Sequence, residues 1–507
     1  MTLPLSHPLW SIAEVVREVM KQSADDRGAL AQCARVSRAF SEPALEVLWQ
    51  ELSGLDQLLG LLPTSFRKVL RGQSDGDASD DDIDNNFGLN DTTLVLVDAI
   101  RDKEWARLIH YARWVRVYTT MKSDKIDGLA TAILLEKLQG RPLLPRLTRL
   151  LWHRPFDLST MLPLFLSPML RSVSLDLLEG GVRRIFHEVG HEPTAPEYAY
   201  GTALQLIRAR APRLRDVELF TSAFPCSINQ LRNFDGIDSL SLHLIQNEAL
   251  VLELCSTLPH LRKLIIRLAR RFRPASPPPH IPEFTLPSLT LLDLNGHPLA
   301  TVNLISAINA PKLHAVYLAF EAREEPWKRC IELVISRFGS SLRKFTADIE
   351  DIYDDSQQVP FSFHEWFSPL YALRKLIEFK VDSHFETEFD VTAEDVENMV
   401  TAWPKLRALG VPPVHPQSSA LPITALQTIA AKCPRLELLT LPAPHYEPLV
   451  KAKAICVRPQ SSMKDILFLG LRWPTEVHKR CMAYVKKLFP RATTIRFEED
   501  YDSEDEG

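Results

Sequence analysis

The chain has 507 residues, 45% of them hydrophobic, with 59 Lys plus Arg against 64 Asp plus Glu and a net charge of −5. That length exceeds one ordinary domain but suits a repeat array, and the apolar share suffices for a large core. The near balance of charge argues against a general nucleic-acid binder, which needs a basic excess. No apolar run is long enough to span a membrane.

The opening stretch, "MTLPLSHPLWSIAEVVREVM", has no basic n-region, and Glu14, Arg17 and Glu18 interrupt its apolar residues. It therefore does not read as a signal peptide. Ile12, Val15, Val16, Val19 and Met20 stand at helical spacing and predict an apolar face. "DDRGALAQCARVSRAF" predicts a second helix with Asp25 or Asp26 as N-cap and Leu30, Cys33, Ala34 and Val36 mostly on one side. "SEPALEVLWQEL" predicts a third, capped by Ser41, with Pro43 in its first turn and Leu45, Leu48, Trp49 and Leu52 as its stripe. Residues 1–60 thus form a compact helical module.

Residues 61–105 read as a linker. Its stretch 72–92, "GQSDGDASDDDIDNNFGLNDT", holds hardly any apolar residue and cannot offset its ordering entropy by burial, so disorder is expected. The tail 498–507 is likewise acidic.

Residues 106–497 repeat the form P-x-L-x-x-L-x-L: "PRLTRLLW", "PMLRSVSL", "PRLRDVEL", "PHLRKLII", "PSLTLLDL", "PKLHAVYL" and later, looser copies. The first apolar position of each copy serves as its anchor: Leu147, Leu170, Leu214, Ile237, Leu261, Leu289, Leu313, Leu342, Leu373, Leu406, Leu436, Met463 and Ala492. Spacings are 23–33 residues except between Leu170 and Leu214. "YARWVRVYTT" (111–120) reads as an earlier, atypical capping unit. Within each copy the leucines alternate toward a core and their neighbours face out. Between copies lie helices. In "VTAEDVENMVTAWPKL", Thr392 and Asp395 form a capping box, Val396, Met399, Val400 and Trp403 a buried stripe, and Pro404 a stop.

"FHEVGHEP" contains His187-Glu188-x-x-His191, the spacing of a zinc-protease helix. Thr194 and Glu197 stand where the extended form needs Gly and His, and Pro193 stops the helix. Glu218, a candidate third ligand, falls inside a repeat strand. The motif sits in the oversized gap between Leu170 and Leu214, flanked by "EGG" and "EPTAPEYAYG", the composition of a surface insertion. A solvated loop is expected, with no metal and no cofactor. "RLARRFRPASPPPH" (267–280) reads as a loop, or more sharply as a docking site for an acidic partner. The seven cysteines never form C-x-x-C, which fits buried free thiols in a reducing compartment.

The period resembles the leucine-rich repeat, whose units run roughly 20–29 residues. "ALAQCARVSRAFSEPALEVLWQEL" (29–52) resembles an F-box of the kind abundant in mushroom-forming fungi, through Leu30, Cys33, Val36, Ser37, Phe40, Pro43, Ala44, Leu45, Leu48 and Trp49. The two resemblances together imply an α/β fold: a three-helix F-box-like module, then a leucine-rich-repeat solenoid, or horseshoe, of about 13 degenerate repeats. They imply a non-enzymatic substrate receptor of a Skp–cullin–RING ubiquitin ligase, cytoplasmic and/or nuclear. It binds the Skp adaptor, and through it a cullin, and it is a monomer outside that complex. No nucleic acid or membrane is expected as partner.

For the adaptor, Trp10, Ile12, Val15, Val16, Val19, Leu30, Val36, Phe40 and Trp49 are the candidates. For Val16, with Cys33 and Leu48, a role inside the module is the preferred reading. A unit this small cannot bury all of its apolar residues. For an unidentified protein substrate, the outward positions beside the strand leucines are Arg149, Asp216, Glu218, Ser241, His243, Lys263, Arg267, Asp293, Tyr317, Lys344 and Asp348. They mix charges and include one aromatic, as a protein ligand requires. The alternatives are a ligase-independent scaffold of the same architecture and a zinc hydrolase using His187, Glu188 and His191.

Overall fold

The structure, a computed structural model, describes residues 12–70, 92–120, 125–153, 158–176, 195–221, 224–245, 247–268, 281–321, 324–350, 361–383, 389–412, 421–445, 458–469, 473 and 475–498. Trp10, the acidic stretch as far as residue 91, His187, Glu188 and His191, residues 269–280, Cys456 and the tail beyond Glu498 lie outside the described residues. The chain is α/β and divides into two compact units, Met1–Leu242 and His243–Gly507.

The first unit opens with α1 (Ala13–Gln22), α2 (Arg27–Val36) and α3 (Arg38–Leu48). Asp26 caps α2 by accepting the Ala29 N–H at 2.8 Å. α3 starts earlier than its sequence suggests: Ser37, not Ser41, is its N-cap, accepting from Phe40 N. Pro43 therefore lies inside the helix rather than in its first turn, which removes the N–H that would have reached the Ala39 carbonyl. Val16, Met20, Leu30 and Ala44 form the core of the bundle.

A parallel sheet follows, in the order β1 (Glu51–Ser53), β2 (Val117–Thr119), β3 (Arg149–Trp152), β4 (Ser172–Leu175) and β5 (Asp216–Phe220). β1 lies within the stretch read as the helical module. The stretch read as linker also holds structure: Phe66–Leu70 pairs antiparallel with Thr92–Leu96, and Asp102–Ala112 is a helix. Part of the expected surface insertion is helix as well. Ala195–Arg210 buries Tyr200, whose hydroxyl donates to the Phe220 carbonyl.

β6 (Ser239–Ile245) contains the division between the units. In the second unit β7 (Lys263–Leu268), β8 (Leu291–Asn295), β9 (Ala315–Glu321), β10 (Lys344–Glu350) and β11 (Glu378–Ser383) pair in chain order, all parallel. β12 (Ala408–Gly410), β13 (Leu438–Pro442), β14 (Asp465–Leu469) and β15 (Thr494–Glu498) continue the order. Leu264, Leu292, Val316, Phe345, Phe379, Leu409, Leu439 and Ile466 stand in one lateral row and are all buried. Their neighbours along each strand are mostly half-buried or exposed, so helices cover one face of this sheet and leave the other open.

One turn recurs before the strands. The anchor N–H donates to the carbonyl three residues back: Leu147 to Leu144 at 3.1 Å, Leu313 to Ala310 at 3.1 Å and Leu436 to Cys433 at 3.2 Å. The repeat's Pro occupies the second position of this turn, where its fixed φ near −65° suits a type I turn. Each strand then begins two residues after the anchor. Leu373 is the exception. Leu376 donates to the Leu373 carbonyl and β11 begins at Glu378, so Leu376 is the anchor and Leu373 opens the turn. Arg374 stands there in place of Pro, which hides the turn in the sequence.

At Met463 a side chain completes the turn. Buried Gln460 accepts the Met463 N–H at 3.0 Å and donates to the carbonyls of Cys433 and Leu436 at 3.2 and 2.7 Å. Gln460→Leu takes this partner from the Met463 N–H and the Leu436 carbonyl, while the Cys433 carbonyl keeps the Leu436 N–H. We expect it to cost about 2–4 kcal/mol, read as a lower urea midpoint, whereas an unchanged midpoint would contradict the network's role.

Candidate functional site

α1 carries two apolar stripes. Val16 and Met20 face the bundle core, with Cys33, Ala34, Phe40, Val47 and Leu48 packed around it. Ile12, Val15 and Val19 recur at the i, i+3, i+7 spacing of one helix face. Ile12 is 44% exposed, Val19 41%, and Val15 is half-buried. Val36, at the end of α2, is 72% exposed. It lies off the Leu30–Cys33–Ala34 face on which its sequence position had placed it.

The remaining adaptor candidates among the described residues have internal roles. Val16 and Leu30 are buried in the core, and Phe40 is half-buried against it. Trp49 stacks on Tyr111, with ring centroids 4.9 Å apart and planes tilted by 36°. A three-helix bundle with one small core needs these large side chains to close it.

The bundle is joined directly to the sheet. The Gln50 carbonyl, just after α3, accepts the N–H groups of Arg116 and Val117 at 2.8 and 3.0 Å. Glu46 accepts from Arg17 Nε at 2.9 Å and lies 3.8 Å from Arg116. Glu46 thereby holds the Arg17 guanidinium above its ordinary pKa. Arg113 reaches Glu42 at 3.3 Å and its guanidinium lies 4.9 Å from the Trp114 ring centre. Along this seam lies a cleft of about 310 Å³ lined by Arg17, Arg38, Glu42, Glu46, Trp114 and Arg146. Ala39 and Pro43 line it too, so the helical hydrogen bond that Pro43 removes is lost at the wall of this cleft.

The outward sheet positions come together as their alternation predicts, but many neutralise one another. Arg267 grips Asp293 with two hydrogen bonds, 2.5 and 2.9 Å. Lys344 pairs with Glu378, its lateral neighbour in the register, at 2.5 Å. That carboxylate raises the Lys344 pKa. Tyr317 lies between Asp293 and Thr346 in the next lateral row. Lys263, Arg149 and Asp216 are exposed, and Glu218, His243 and Asp348 are half-buried. Ser241 is 8% exposed and too covered to be a contact. The outward set also includes Glu378, Lys380, Asp382 and Leu438, which the sequence reading missed. The first three were hidden by the misplaced Leu373 anchor. Leu438, 48% exposed, was hidden among core leucines in "CPRLELLTL".

Among the described residues no group of His, Cys, Asp or Glu is arranged to hold a metal ion. Glu218 stands on β5. Glu197 is buried and accepts the Thr221 hydroxyl at 2.7 Å. Among the described residues no helix is long and apolar enough to cross a membrane. No protein-family model matches the chain, and no curated protein matches it.

The cysteines divide by burial. Desolvation pushes the thiols of Cys255, Cys330 and Cys433 up to about 12, whereas Cys33 is half-exposed. At about pH 8 the three buried thiols are thiolates only about one part in ten thousand. A disulfide-exchange reagent should modify Cys33 in the native protein and reach these three only on unfolding. Fast native labelling of Cys330 would contradict this burial.

Proposed function

We propose that this chain is an F-box-like, non-catalytic substrate receptor of a Skp–cullin–RING ubiquitin ligase. One observation carries the reading. The bundle core is already filled by Val16, Met20, Leu30 and Ala44, yet α1 presents a second apolar stripe, Ile12, Val15 and Val19, with Val36 exposed at the end of α2. Exposed aliphatic residues on so small a module favour a protein partner. The resemblance of residues 29–52 to an F-box supplies its class, a Skp adaptor that brings the cullin.

The strand units support a leucine-rich-repeat solenoid in the same reading. Their open sheet face, a mosaic of charges around Tyr317 and Leu438, suits capture of a protein substrate. A receptor of this kind needs no chemistry of its own. It raises the concentration of bound substrate beside a ubiquitin-charged enzyme.

The test uses the full chain, because β1 ties the helices to the sheet and residues 1–60 are not a separable piece. Wild type should bind a purified fungal Skp adaptor, and Ile12→Asp/Val19→Asp should weaken binding about tenfold or more. Both positions are exposed, so the variant should keep its melting temperature. Phe40 is unsuitable because it packs on the core. A folded wild type that does not bind would instead favour a ligase-independent scaffold.

A further inference from the structure

The recurrent turn does more than start each strand. It aligns two positions along one edge of the sheet: the third residue of the turn and the residue after the anchor. In the unit His243–Gly507 the latter form a continuous backbone row. Thr290 donates to the Arg262 carbonyl, Ile377 to Arg343 and Glu437 to Arg407, each at 2.8 Å. At the third position of the turn stand Lys405, Arg435 and Arg491. All six of these cations are exposed, and among the described residues none has a side-chain hydrogen bond or ion pair, though Arg407 acts electrostatically on Glu437 of the next repeat. On the open sheet face, by contrast, Arg267 and Lys344 are neutralised by Asp293 and Glu378. The acid of the edge rows, Glu437, is already held by Lys464 at 2.5 Å.

We propose that this edge is a docking track for an extended acidic protein segment. The protein as a whole carries a net charge of −5, so a basic edge on it is local and not a consequence of bulk charge. Strands about 4.8 Å apart spread it over roughly 38 Å from β7 to β15, the length of about twelve extended residues. Guanidinium groups suit carboxylates by forked hydrogen bonding. The aromatic residues of these turns, Phe338, Trp403 and Phe489, are buried, so bases would find no stacking platform. The exposed apolar members of the turns are prolines such as Pro311, Pro404 and Pro434, with no long aliphatic or aromatic side chain to enter a lipid surface. An acidic peptide is the polyanion that remains. The proposal is independent of the adaptor reading.

The experiment measures binding of a labelled poly-glutamate peptide of about 20 residues to the full chain at low salt. Oligothymidine and phosphatidylserine vesicles are run beside it. Lys405→Glu/Arg407→Glu/Arg435→Glu should bind the peptide at least about tenfold more weakly. Lys405→Gln/Arg407→Gln/Arg435→Gln, the neutral form, should show a smaller loss and guards against misfolding of the first variant. Lys479→Glu/Arg480→Glu/Lys486→Glu, on the exposed side of helix Thr475–Leu488, changes net charge equally and should bind nearly as well as wild type. Equal loss in both charge-reversed variants, no peptide binding by wild type, or tighter binding of oligothymidine or vesicles would each overturn the proposal.

Discussion

A strand of this protein is stable only when the next one covers it. Each helix–strand unit has one apolar face and too little surface to bury it alone. The buried lateral row from Leu264 to Ile466 meets that constraint in the second unit. Its register is kept by the turn before each strand, which sets the anchor leucine inward and restarts the alternation. Pro is the usual way to fix that turn. Arg374 and Gln460 show that it is not the only one: the first relies on the backbone bond alone, and the second supplies the missing geometry from a buried amide.

The same constraint explains why the helices at the start are not a tethered domain. Gln50 offers its carbonyl to Arg116 and Val117 in the two-donor pattern by which later strands join their predecessors. β1 is thus the first strand of the sheet. Glu46 and Trp49 reinforce the joint from α3 and the residue after it. In the proposed receptor this fixes the apolar stripe of α1 relative to β1–β3, so a substrate held there would be presented at a set geometry instead of on a flexible leash.

Much of this could be read from the sequence, because the repeat carries its own punctuation. Anchors with Pro two residues ahead fell at the turns, each two residues before its strand, and the Thr392–Asp395 capping box formed as its spacing implied. Where the punctuation was missing, the reading slipped. Without Pro, nothing in the sequence tells the turn-opening Leu373 from the anchor Leu376. β1 is three residues long and preceded by a helix ending at Leu48, so nothing in "QELSG" separates it from a helical tail. The same limit applies to the candidate surface. Helical spacing shows which residues are apolar but not which of two stripes a small core will use. Val16 and Leu30 filled it, and Ile12 and Val19 were left outside. Pairing across strands, as in Lys344–Glu378, depends on lateral register and is invisible in a single chain.

The central claim is that the outer stripe of α1 is an adaptor-binding surface on a bundle rigidly joined to the sheet. Hydrogen–deuterium exchange of the full chain, with and without a purified Skp-type adaptor, tests it most directly. The account predicts adaptor-dependent protection in α1 and at the end of α2, with β7–β15 unchanged. Protection confined to the open sheet face, or none anywhere at saturating adaptor, would contradict it.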